Sequence, residues 1–273
     1  MDDETTRAAA DEFLALLDVI RELRVKCPWD REQKLETSAK HLLEEAYETV
    51  DAIEHGGDHE LNDELGDLIV QVLFAATIAE ENRRLDAATM LRHARDKLVR
   101  RHPHVYAGAE TGSAAEVVKK WNQIKREERA AKGIDSAIDG VARALPALTR
   151  AQKLGERARS AGMDWPDAPS ALDKVAEEIG EVRAALESAD REAAAEELGD
   201  AMLALANVPR FIGHDAETTL RQACDKFIQR FKLVERIAAE RKLTLDRLSP
   251  DEIEHLWQEA KHRHSGPRDS QRD

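Results

Sequence analysis

The tetrapeptide Glu-Leu-Gly-Asp occurs twice, at 64–67 and at 197–200, and it belongs to a longer internal repeat. An offset of 133 carries Glu64 onto Glu197 and Asp67 onto Asp200, and also Glu44-Glu45 onto Glu177-Glu178 and Glu48 onto Glu181. Downstream, DKLVRR at 96–101 matches DKFIQR at 225–230, which pairs Lys97 with Lys226 and Arg101 with Arg230. WNQIK at 121–125 matches WQEAK at 257–261, and Trp29 of CPWD matches Trp165 of MDWPD, both at an offset of 136. The offsets drift only where loops can lengthen. A repeat of this kind reduces the fold problem to one unit of roughly 110–130 residues used twice. The expected layout is a first copy at 1–133, a linker at 134–149 punctuated by Gly140 and Pro146, a second copy at 150–262, and a disordered tail at 263–273.

Within each copy the apolar positions follow the helical period. Aromatic residues are 4 % of the chain, charged residues 35 %, and no run of alternating β-branched residues occurs. The fold class expected is all-α, a tandem of four- or five-helix units. In the first copy the helices expected are 7–25, 36–55, a third from an Asp58 N-cap to about 83, 86–101 and 114–131. The second copy repeats the pattern, with a turn at Ser188–Asp190.

Charge and cysteine usage exclude several classes. A net charge of −14 opposes general affinity for nucleic-acid backbones or anionic membranes. No apolar run reaches the roughly 20 residues of a membrane span, and the acidic start MDDETTRAAADEF is unlike a signal peptide. Cys27 and Cys224 are far apart and form no Cys-x-x-Cys, which points to a reducing, cytoplasmic setting and away from zinc.

The acidic residues carry the chemistry. Glu44, Glu45 and Glu48 fall on one side of their helix, which by itself is the pattern of a solvated face. The next helix is apolar nearly all round from Leu65 to Ala76, as for a helix inside a bundle, and its polar residues Glu64, Asp67 and Gln71 make one narrow stripe. In the second copy Glu197, Asp200 and Asn207 make a similar stripe. Carboxylates inside a bundle are costly unless paired or bound to a cation. Glu48 and Glu64 lie about equally far from the intervening turn, as do Glu181 and Glu197, so an antiparallel pair brings them level. Oxygen-only ligands at that density suit Mg²⁺, with Mn²⁺ a second choice. Lys174 precedes Glu178 by one turn, Lys226 and Arg230 share a helix face, and Lys261 shares a face with Trp257. A metal box with such cations fits a polyphosphate substrate, and Trp257 could stack on a base.

Glu44-Glu45-x-x-Glu48 with Glu64-x-x-Asp67, and Glu177-Glu178-x-x-Glu181 with Glu197-x-x-Asp200, resemble the signature of the MazG family of all-α nucleoside triphosphate pyrophosphohydrolases. CPWD, LLEEAYE, RRHPHV, RAQKL and DWP are similar to that family's two-domain members, so the resemblance runs over about 10–262. It implies Mg²⁺-dependent hydrolysis of ribo- and deoxyribonucleoside triphosphates to monophosphate and pyrophosphate, a homodimer, a housekeeping role on the nucleotide pool, and a C-terminal copy that does the work. Carried onto this chain, the metal ligands are Glu178, Glu181, Glu197 and Asp200. The nucleotide contacts are Lys174, Glu177, Glu196, Lys226, Arg230, Trp257 and Lys261. Ala193 stands in the turn where some members have a lysine, a departure bearing on affinity or base preference.

The first copy keeps Glu44, Glu45, Glu48, Glu64, Asp67, Lys97, Arg101, Trp121 and Lys125. It has Phe74 in place of Asn207 and His41 in place of Lys174. Asn207 can orient a metal water or a sugar hydroxyl, and Phe74 cannot, so the stronger site is expected in the C-terminal half. Glu177 or Glu178 is expected to orient or deprotonate the attacking water. A narrower pyrophosphohydrolase acting on dUTP or phosphoribosyl-ATP, and a non-catalytic nucleotide sensor or partner-binding protein, are the alternatives. The sparse aromatic filler around the apolar helices gives separate support for a dimer.

Overall fold

A computed structural model of the chain describes residues 3–108, 112–131, 133–134 and 136–264. The described residues are helical and loop, with no strand among them. The chain divides into two compact units, Met1–Glu128 and Arg129–Asp273.

The first unit holds α1 (Asp3–Lys26), α2 (Pro28–Glu32), α3 (Leu35–His55), α4 (Asp58–Glu81), α5 (Ala87–Arg101), α6 (Pro103–Tyr106) and α7 (Ala114–Ala130). The short α2 and α6 were not expected from the sequence; each starts at a proline, whose fixed φ suits the first turn of a helix. Asp58 is not the cap of α4. Gly57 is the capping residue, and the Glu60 carboxylate reaches back to accept its N–H at 2.9 Å, which leaves Asp58 in the first turn. Ile20, Leu73, Phe74 and Ile78 form the α1–α4 core. Arg24, buried between these helices, donates to the Gln33 carbonyl and to the Glu81 carboxylate, and so fastens α2 beneath them.

The second unit holds α8 (Ala147–Ser160), α9 (Ala168–Glu187), α10 (Arg191–Leu205), a 3₁₀ turn at Pro209–Ile212, α11 (Ala216–Glu240), a 3₁₀ turn at Leu245–Arg247 and α12 (Pro250–His264). Helix α8 begins inside the stretch read as linker, because Pro146 sets the entry and Ala147 follows. The expected tail is helical at its first two residues, and 265–273 lie outside the described residues. Aspartate caps start three of these helices: Asp167 accepts from Ser170, Asp190 from Ala193 and Asp215 from Thr218, through side chain and backbone N–H. Val234, Ile237, Ala238, Leu256 and Ala260 form the α11–α12 core, with Trp257 packed against it.

In both units the helix pair that carries the acidic motif is an antiparallel hairpin, α3–α4 and α9–α10. The facing surfaces differ from the bundle interior expected. The buried residues of α3, α9 and α10 are small or polar, Ser38, Thr49 and Ala52 on α3, and Ala171, Glu178 and Ala201 among those on α9 and α10, and Thr49 donates across to the Glu64 carbonyl at 3.2 Å. Much of the apolar surface faces outward instead: Leu43, Tyr47, Ile53, Leu65, Ile69 and Val72 are exposed, as are Leu186, Leu198, Met202 and Leu205. A helix that is apolar all round needs cover on both sides, and the single chain covers one.

Candidate active site

The turn between α9 and α10 sets the register. Ala189 takes a left-handed φ of 58°, and Asp190 then caps α10, so the two helices leave the turn in step. One oxygen each from Glu178, Glu197 and Asp200 lies within 4.8 Å of the others. Glu181 stands beside them, close enough to share hydrogen bonding with Glu178 and Glu197. The first unit repeats the cluster with Glu45, Glu48 and Glu64 within the same 4.8 Å, and Asp67 close by. The four carboxylates expected in each hairpin are therefore brought together in both copies.

Charge shows how these groups are compensated. Glu178 is buried, and the Lys174 ammonium 2.7 Å away holds its carboxyl below the usual range. Lys174 also pairs with Glu177 at 2.7 Å, and both carboxylates keep its ammonium charged by raising its pKa. Glu197 has no such partner among the described residues; desolvation and the neighbouring Glu181 and Glu178 push its carboxyl up. In the first unit desolvation and like charge raise both Glu45 and Glu64. Lys40 and His41 pair with Glu44 instead, so none of Glu45, Glu48, Glu64 and Asp67 has a described cation as ion-pair partner. In both units an all-oxygen donor set, its repulsion relieved in the second by Lys174 at Glu178 and in the first by no described lysine or arginine, fits a hard divalent cation.

The other expected residues sit elsewhere. Lys226, Arg230, Trp257 and Lys261 gather on α11–α12, whose extensive packing is on each other and on α8, not on the α9–α10 carboxylates. There the Lys261 ammonium lies 6.0 Å from the Trp257 ring centre, Phe227 abuts the same ring, and Arg230 has a buried Nε with no hydrogen-bond partner. Glu196 is exposed. In the first unit Arg101 stacks over Trp121 and is tied to Glu128 at 2.6 Å, Lys97 is exposed, and Lys125 is half-buried. Asn207 does not continue the stripe of Glu197 and Asp200. Helix α10 stops at Leu205, and Asn207 is buried in the following turn against α8.

Three features escaped the sequence reading. Glu128 binds both Arg100 and Arg101, yet its repeat counterpart is His264, so the repeat gave no signal for it. Arg210 forms an ion pair with Asp164 beside Trp165, a contact between residues far apart in the chain. A cavity of about 510 Å³ in the second unit is lined by Leu154, Met163, Trp165, Lys174 and Asn207 among others.

The family model for the MazG nucleotide pyrophosphohydrolase domain matches this chain at 33–106 and again at 168–234, over the two acidic hairpins. The chain belongs to the MazG family. Relatives match most of the chain. The nucleoside triphosphate pyrophosphohydrolase of Escherichia coli K12 is 42 % identical over 92 % of this chain and 96 % of its own. The Thermotoga maritima nucleoside triphosphate pyrophosphohydrolase/pyrophosphatase MazG is 35 % identical over 91 % and 95 %. The Mycobacterium tuberculosis nucleoside triphosphate pyrophosphohydrolase is 36 % identical over 84 % of this chain and 58 % of its own. Membership of the MazG family makes the chain a nucleotide pyrophosphohydrolase and explains why the acidic hairpin recurs.

Proposed function

We propose that the protein hydrolyses ribo- and deoxyribonucleoside triphosphates to the monophosphate and pyrophosphate, mainly in the second unit, as a housekeeping enzyme of the nucleotide pool. The observation that carries this is the convergence of Glu178, Glu197 and Asp200 beside a lysine that pairs with Glu177 and Glu178. Glu178, Glu181, Glu197 and Asp200 would hold Mg²⁺, or Mn²⁺ in its place. The ion supplies electrostatic stabilisation of the charge that develops on the triphosphate oxygens.

The residues divide the remaining work. Glu177 or Glu178 orients a water and accepts its proton as its oxygen bonds to the α-phosphorus. The bond from that phosphorus to the bridging oxygen breaks, and pyrophosphate leaves with the electron pair. Lys174 fixes the two carboxylates and stays cationic beside the substrate. On α11–α12, Lys226, Arg230 and Lys261 contribute positive charge toward the phosphates, and the unfilled Nε of Arg230 supports this. Trp257 offers a ring face to the nucleotide, and the exposed Glu196 a polar contact.

The first unit keeps Glu44, Glu45, Glu48, Glu64, Asp67, Lys97, Arg101, Trp121 and Lys125, and we place a weaker site there. Its Glu44 is paired with Lys40 and His41, and its Arg101 with Glu128. The outward apolar faces of both acidic hairpins support a homodimer, and the two free cysteines a reducing, cytoplasmic setting. No helix among the described residues is long and apolar enough to cross a membrane.

One assay tests the reading. The protein is incubated with each NTP and dNTP in Mg²⁺, and the products are resolved. Monophosphate plus pyrophosphate is expected; diphosphate plus phosphate would overturn the proposal.

A further inference from the structure

The two units treat one repeated arginine differently. Arg101 and Arg230 are repeat equivalents, and so are Trp121 and Trp257. In the first unit the Arg101 guanidinium lies 5.3 Å from the centre of the Trp121 ring. Glu128 of α7 holds it there. Arg101 Nη2 donates to Oε2 at 2.6 Å, and Nε donates to the same oxygen at 3.2 Å. The other carboxylate oxygen takes Arg100, whose Nε donates at 2.8 Å. One carboxylate thus spans two guanidinium groups, using the same donor edge of arginine that holds a phosphate.

The second unit is built otherwise. The repeat places Gln229 at the position of Arg100 and His264 at that of Glu128, so both the extra cation and the carboxylate are missing. Arg230 keeps a buried Nε with no hydrogen-bond partner. The rings differ as well. In the first unit His102 stands edge-on to Trp121, with ring centres 4.8 Å apart. Its counterpart Phe231 stacks on Phe227 instead, and it is Lys261 that lies over Trp257. Arg100, Arg101 and Glu128 together carry one net positive charge, and the Nε–Nη2 edge of Arg101 is already filled. The Arg101 and Glu128 side chains are 16 % and 17 % exposed, so water screens their attraction only in part. Arg101 above all holds the Glu128 carboxyl down at about 2, which keeps it ionised wherever a triphosphate is ionised.

We propose that Glu128 keeps nucleoside triphosphate out of the first unit, by occupying the arginine edge that the phosphates need, and so directs the reaction to the second. The inference rests on the pyrophosphohydrolase reading, which gives Arg101 and Arg230 to the phosphates, and it names why the two copies differ. A carboxylate built into the same unit has no translational freedom to lose when it binds, an advantage that no dissolved nucleotide has. It also repels the triphosphate as a like charge. Glu128 acts through Arg101 and touches no reacting atom, so it is a positioning residue whose removal is a gain. Without it the net charge of the group rises by one and the Arg101 edge is open.

The test is calorimetric, on the full-length protein in Mg²⁺ with α,β-methylene-ATP, which keeps the phosphates and resists cleavage between the α- and β-phosphorus. The wild type should show one site per chain. Glu128→Gln should show two, with first-unit affinity raised on the order of 10-fold or more, and adding Arg101→Gln should remove the new site. Glu128→Ala gives the same two sites and decides the matter if the glutamine variant does not fold. A merely structural ion pair would lower stability on its loss and create no site. One site per chain in both neutral variants, or two in the wild type, would overturn the proposal. Failure of the wild type to release pyrophosphate from ATP would overturn the pyrophosphohydrolase reading instead.

Discussion

Among single residues, Glu178 and Glu45 occupy repeat-equivalent positions in different surroundings. Glu178 is buried and paired with Lys174; Glu45 has His41 at the lysine's position, and that histidine turns to Glu44. Replacing Glu178 by glutamine removes charge from the better compensated cluster, and we expect monophosphate release to fall at least about 100-fold. Glu45→Gln should leave most of the activity. The reverse pattern in steady-state kinetics would move the working site to the first unit. Glu128 permits a second prediction, about stability. Arg101 first and Arg100 next hold its carboxyl down at about 2, well below its ordinary value of 4.5. A carboxyl lowered by folding stabilises above its unfolded pKa and loses that contribution as pH falls through the folded one. Urea midpoints should therefore drop between about pH 4.5 and 2, and Glu128→Gln should flatten that part of the profile; an unchanged profile would show that the pair contributes nothing. The acidic clusters were legible because two copies of one spacing are visible in a sequence. The Arg101–Glu128 pair was not, because it exists in one copy only.

At the scale of the element, the α9–α10 turn ties stability to catalysis. Ala189 sits at φ 58°, a conformation that costs an alanine about 1 kcal/mol and a glycine almost nothing. Ala189→Gly should raise the unfolding free energy by roughly 0.5–1 kcal/mol in urea titrations, with activity preserved. A loss of stability would show that the methyl group contributes packing. Asp190→Ala removes the cap of α10 and should cost about 1 kcal/mol, with Asp190→Asn restoring most of it. Helix positions followed well from period, proline and glycine, and so did the level register of Glu48 with Glu64. The end of α10 did not. The apolar pattern runs on through Val208, yet the helix gives way after Leu205 to a tighter turn, and Pro209, which has no N–H to donate, opens the next one. That early stop takes Asn207 off the stripe of Glu197 and Asp200 and puts it in the wall of a cavity. Side-chain volume matched between α8 and a distant turn, Gly155 to Asn207, is not readable from either segment alone.

For the whole molecule the question is what covers the outward faces of the two hairpins. Leu65, Ile69 and Val72 line one side of α4, and Leu198, Met202 and Leu205 one side of α10, all at least 40 % exposed. Repeat-equivalent patches in both units imply a shared structural demand, and a second copy of the chain presents matching apolar surface. By the helical period Glu64 and Asp67, like Glu197 and Asp200, stand on a different side of their helix from these patches, so covering the patches would stiffen the hairpins without blocking the acidic clusters. We therefore expect a solution mass about twice the 30.6 kDa of one chain by light scattering. Ile69→Glu and Met202→Glu each place an unpaired carboxylate into such an interface, at a cost of several kcal/mol. Either change should shift the mass toward one chain and lower the thermal midpoint, whereas Glu4→Gln, on the polar start of α1, should do neither. If the wild type runs as a single chain, or if both glutamate variants keep the doubled mass, the outer faces of the hairpins are not the interface.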